Sequence, residues 1–200
     1  MAETDTYLTI DGPAEGIYRE KGSRFMAFAA PVRNQAEINQ LLDRLKKDYF
    51  DARHHCYAWV LGPDGKQSRT NDGGEPSHSA GDPILGQIRL RGLTDVLVAV
   101  VRYFGGTKLG MGGLIAAYRM AAAEALQAAA IVEKRVQVLL SLRFAWPATG
   151  FVMKIIREDG LEIVRKESDN ECRKEVLVRL CLAGDVADRL AHNEVLEEIH

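Results

Sequence analysis

Apolar residues follow two rhythms along the chain, and the points where one gives way to the other predict alternating strands and helices. Residues 23–32 (SRFMAFAAPV) form an apolar run of strand length. Asn34 is then placed to cap a helix reaching Phe50, in which Ile38, Leu41, Leu42, Leu45 and Tyr49 share one face. Residues 53–61 (RHHCYAWVL) are aromatic and β-prone, and Gly62-Pro63-Asp64-Gly65 closes them with a turn, since proline presets φ and glycine accepts φ above zero. From Lys66 to Asp82 the chain is polar and broken by glycine and proline, which predicts a long exposed loop. A short helix over 83–91, a nearly continuous apolar strand over 95–103 and an alanine-rich helix over 113–131 complete this half.

The pattern then restarts. Val136, Val138, Leu140, Leu142 and Phe144 alternate with polar positions, as in a strand with one buried face. Pro147 suits the first turn of a helix ending near Asp159, with Gly160 as its C-terminal cap. Residues 161–166 and 175–181 read as strands, Asp185 as the cap of a last helix, and Val195 to Ile199 as the only source of a fourth strand. The expected architecture is α+β in two domains, residues 1–132 and 133–200, the second a small ferredoxin-like βαββα unit.

Composition narrows the setting. At 46% hydrophobic the chain can bury a core, and a formal net charge of −2 gives no whole-molecule attraction to nucleic acid or anionic membrane, so such binding needs a local patch. Three scattered cysteines without a C-x-x-C pair fit a reducing compartment. With neither a leader-like start nor a long apolar run, the expectation is a cytoplasmic protein with no membrane partner.

Polar residues keep unusual company in four segments: KGSRF (21–25), RHHCYAW (53–59), TNDGGEPSHSAGDP (70–83) and VVRYFGGTKLGMGGL (100–114). A strand entering glycines and then a helix brings unpaired N–H groups and a positive helix end together, which favours a phosphate or sulfate anion, with Arg102 and Lys108 adding charge. Close packing of helix on sheet explains the same glycines equally well. Neither a Walker A motif nor a dinucleotide fingerprint is present, because Met111 and Ile115 stand where those motifs need other residues. His54 and Cys56 share a strand face but are too few to hold a metal, and Cys56 reads as a buried, inert thiol, so no metal or cofactor is expected. Asp72 and Glu75 suit either acid–base chemistry or turn and ion-pair roles. The candidate binding residues are Arg24, His54, His55, Asp72, Glu75, Arg102, Gly105, Gly106, Lys108, Gly110, Gly112 and Gly113, and Arg24, His54, Asp72, Glu75, Arg102 and the glycine loop are expected to gather on one side of the first domain.

Together KGSRF, DARHHCYAW, NDGGEPSHSAGDPIL and VVRYFGGTKLGMGGLIAAYR resemble the YigZ/Impact family over nearly the whole chain. Two departures stand in the loop: Gly73 where the family usually has an acidic residue, and His78 where it usually has glycine. The resemblance implies a first domain similar to the second domain of ribosomal protein S-five and a ferredoxin-like second domain. It also implies a link to translation, since the eukaryotic relatives compete with the kinase that senses uncharged tRNA for its ribosome-associated activator. The implied function is a non-enzymatic regulator binding RNA, a ribosomal component or a translation-related protein through a cleft in the first domain. The alternative is an enzyme binding a small molecule or nucleotide phosphate with the glycine-rich and NDGGEP loops.

Overall fold

A computed structural model describes residues 5–168, 171–191 and 195–199. The chain divides into two compact units, one of residues 7–134 and the other of residues 135–200 together with the N-terminal segment through Thr6.

In the first unit, β2 (Ala14–Glu20), β3 (Ser23–Pro31), β4 (His54–Leu61), β5 (Gln67–Asn71) and β6 (Val96–Tyr103) form an antiparallel sheet of order β2-β3-β6-β4-β5. Central β6 is apolar at nearly every position because both faces are covered. Helices α2 (Gly81–Leu90) and α3 (Gly110–Ala128) pack on one face, where Phe25, Cys56, Val100, Ile84, Ile88 and Tyr118 share a core. Helix α1 (Gln35–Asp48) covers the other, meeting Trp59, Leu61, Leu97 and Ala99 through Ile38 and Leu42. Asn34 caps α1 as its sequence predicts, Oδ1 accepting from the Glu37 N–H at 3.0 Å. A two-stranded sheet joins β1 (Thr6–Ile10) to β7 (Ile131–Arg135).

Several elements differ from the sequence reading, which gives no strand for β1, β2 or β7. Part of the expected loop over 66–82 is the edge strand β5, whose alternation is hidden because neither of its faces is apolar. Helix α3 starts at Gly110 rather than 113, drawing glycines into its first turn. In the second unit α5 (Leu180–Ala191) follows directly from β10 (Cys172–Arg179), so Asp185 lies within the helix rather than capping it.

The second unit also contains β8 (Gln137–Phe144), α4 (Thr149–Glu158), β9 (Glu162–Ser168) and β11 (Leu196–Ile199). Its βαββαβ succession and antiparallel order β11-β8-β10-β9 are the ferredoxin-like arrangement. Leu140, Leu142, Val176 and Val178 face Val152, Ile155, Ile156, Val186 and Leu190 of the helices. Asp5 belongs to this unit: its carboxylate accepts two hydrogen bonds from Arg179, both at 2.8 Å.

Candidate functional site

At one end of the first unit's sheet, register sets Phe25 of β3 and His54 of β4 on either side of Arg102 of β6. Cross-strand neighbours share a face, so all three look toward α2 and α3. Arg102 is only 6% exposed, in an otherwise apolar strand, and its charge must be matched there. The match comes from the 71–80 loop: Arg102 Nη1 donates to Glu75 Oε1 at 2.6 Å. The same oxygen accepts from the Tyr118 hydroxyl of α3 at 2.8 Å, and His54 Nε2 lies 3.9 Å from it. Phe25 packs edge-on against Tyr118, with ring centroids 5.0 Å apart, and the guanidinium lies 5.3 Å from the Phe25 ring and 5.7 Å from Phe104. Cys56 Sγ lies 3.0 Å from the Asp72 carbonyl and 3.3 Å from the Tyr118 hydroxyl. Burial pushes the Cys56 thiol up to about 12 and also raises Tyr118, so neither is an anion at neutral pH.

The loop is built around Asp72. Its carboxylate accepts the N–H groups of His78, Ala80 and Gly81 at 2.9, 3.0 and 2.8 Å. Burial pushes the Asp72 carboxyl up, but these amides outweigh it and hold it below its ordinary value. His54 Nδ1 meets the Gly73 carbonyl at 3.0 Å, tying the loop to β4. The two departures now have a backbone context: Gly73 has φ +53° and His78 has φ +65°, a region glycine enters more readily than histidine. His78 Nδ1 is 2.6 Å from Asp82 Oδ2, which raises the imidazole above its usual range.

The glycine stretch divides its labour. Gly105 is pressed against the tight turn of KGSRF, where an added Cβ would overlap the Gly22 carbonyl carbon and the Ser23 nitrogen. Its N–H donates to Ser23 Oγ at 3.1 Å. Gly106 and Gly110 have φ of +91° and +70° with nothing within 4 Å of a Cβ, so they serve the path of the chain rather than packing. Gly112 also has open space, a Cβ added at Gly113 would come within 3.0 Å of Leu109 Cβ, and α3 begins without a side-chain cap.

The structure therefore brings His54, Asp72, Glu75 and Arg102 into one cluster. Arg24 and His55 alternate onto the other face of the sheet, where burial pushes the His55 imidazole down. Arg24 instead lies over the Tyr103 ring at 4.8 Å, and the Tyr103 hydroxyl donates to Asp51 at 2.6 Å. Lys21, Arg53 and Lys108 are exposed around this end, and Phe104 is 56% exposed. The sequence reading missed Tyr118 and Phe104. Tyr118 is the one aromatic of an alanine-rich helix, a visible signal, whereas Phe104 is distinguished only by its exposure.

Fold and cluster define a two-unit mixed α/β protein with a charged knot sealed at one end of its larger sheet. The Impact N-terminal domain model matches residues 21–126, and the chain belongs to the Impact family. The family member YvyE of Bacillus subtilis is 33% identical over 153 residues, 76% of this chain and 70% of that protein. A member from Thermus thermophilus is 41% identical over 140 residues, 70% of this chain and 75% of its own length. A crystal structure described as that of a hypothetical protein superposes with a TM-score of 0.75 at 26% identity, covering 98% of this chain and 97% of the other.

Proposed function

We propose that this chain is a translation-linked regulator without a catalytic role, and that it binds RNA, free or within the ribosome, at the end of the first unit's sheet. The observation carrying this reading is a set of exposed cations in the strand ends and loops of this end, Lys21, Arg24, Arg53 and Lys108, together with the exposed Phe104. Cations meet phosphates and an exposed aromatic offers a stacking surface for bases. Family membership supplies the link to translation. The buried Arg102 is not one of the phosphate contacts, because Glu75 already neutralises it; it holds the surface in shape. An enzyme using the NDGGEP carboxylates is less well supported: Asp72 is occupied by three backbone amides, and Glu75 by Arg102 and Tyr118.

Binding of a fluorescent single-stranded RNA, followed across a salt series, tests the proposal. Arg24→Ala, Arg53→Ala and Lys108→Ala should each weaken binding and reduce the salt slope by about one ion, leaving the melting temperature nearly unchanged. Phe104→Ala should weaken binding without changing the slope. Binding that is absent at low salt, or indifferent to all four changes, overturns the reading.

A further inference from the structure

On the far side of the sheet cluster, α3 has an unusual composition for a helix with a solvent face. Its only charges over Gly110–Ala128 are Arg119 and Glu124. A surface helix ordinarily carries a polar stripe opposite its buried one; a helix apolar all round is covered on both sides. One side of α3 is covered by the core through Leu114, Ala117, Tyr118, Ala121 and Ala125. On the other, Met111 and Met120 remain 51% and 41% exposed. Glu124 sits against Gly16 of β2, leaving Arg119 as the charge that α3 presents toward α2.

Between α2 and α3 runs an open groove of about 440 Å³ lined by His78, Asp82, Gly86, Leu90, Ile115 and Arg119. Leu90 is 76% exposed beside it. Gly86 lies inside α2, where glycine costs about 1 kcal/mol relative to alanine. A Cβ there would meet nothing within 4 Å, so no internal contact requires the missing side chain. The fold keeps open a space that its own packing does not use. Asp82 is matched by His78 at 2.6 Å, Arg89 donates to Ser68 and Arg91 to Gln87, whereas Arg119 has no carboxylate partner among the described residues.

We infer that the α2–α3 groove is a docking site for an acidic amphipathic helix of a partner protein. Its apolar side would lie on Leu90 and Ile115, its backbone would approach at Gly86, and a carboxylate would reach Arg119. Small residues in a groove let helices approach closely. Charge complementarity selects this occupant. The one carboxylate that the groove of a second copy could offer Arg119 in an isologous contact is Asp82, and His78 already holds it at 2.6 Å. This surface is separate from the proposed RNA contacts, and the two can fail independently.

The test uses the full chain and two synthetic amphipathic helices with leucine on one face, carrying either glutamate or lysine on the other. The glutamate helix should bind saturably, and at least about tenfold more tightly than the lysine helix. Gly86→Leu, which fills the groove and favours the helix, should abolish binding while preserving the thermal transition; Arg119→Glu should weaken it by about tenfold. Equal binding of the two helices, no saturable binding, or indifference to both substitutions overturns the inference. So does concentration-dependent self-association that Gly86→Leu removes, because the occupant would then be a second copy.

Discussion

Arg102 and Glu75 meet at 2.6 Å with side chains 7% and 4% exposed, joining the centre of the sheet to a loop 27 residues earlier in sequence. Desolvation makes such a pair costly to assemble and more costly to half-remove, because the remaining charge stays buried without its counterion. Arg102→Ala is therefore expected to lower stability by about 3–5 kcal/mol in denaturant unfolding. Replacing both residues by apolar ones of similar size should cost less than Arg102→Ala alone. If Arg102→Ala leaves the midpoint unchanged, the pair does not tie the loop to the sheet.

Two glycines seven residues apart should respond in opposite directions. Gly105→Ala drives a Cβ into the Gly22 backbone and should destabilise the first unit by at least about 3 kcal/mol. Gly112→Ala adds a methyl to open space within α3 and should stabilise by up to about 1 kcal/mol. Thermal melts of the two variants check both signs.

Acid should release the N-terminal segment's contribution to the second unit. Hydrogen bonds from Arg179 and Cys181 hold the Asp5 carboxyl down at about 2, from an ordinary value of 3.8. Because the folded value is the lower one, Asp5 contributes fully above the ordinary value and loses its contribution as pH falls through about 2. Asp5→Asn should thus be less stable than the parent near neutrality, and the two unfolding curves should converge between about pH 4 and 2.

Thiol chemistry offers a separate check on the cluster. Cys56 and Cys172 are buried and Cys181 is exposed. Alkylation followed by mass spectrometry should modify Cys181 first and reach Cys56 only on unfolding, since burial both shields that thiol and raises its pKa to about 12. Early modification of Cys56 in the folded chain would contradict the sealed arrangement.

The units are also expected to fold separately. Residues 7–134 expressed alone should unfold cooperatively, while a fragment beginning at 135 lacks Asp5 and should be less stable than the same unit in the full chain. Circular dichroism melts of both fragments decide it.

Much of the fold is local information. The apolar run of β6, the Asn34 cap and the alternation of β8 follow from neighbouring residues, because backbone hydrogen bonding and one-sided burial impose periods visible in sequence. Polar edge strand β5 escapes that logic, since an edge needs no apolar face. What the sequence alone determined was the succession of most elements, the ferredoxin-like second half and the company of Arg102, His54, Asp72 and Glu75 in three of the four unusual segments. Tertiary structure decided which of these face one another. Strand pairing puts His54 beside Arg102, the Asp72 amide cage presents Glu75 to it, and strand alternation turns Arg24 and His55 away. A side chain's type is written locally, but whether its charge meets water or a counterion depends on residues far along the chain, and that meeting makes Arg102 a latch rather than a free cation.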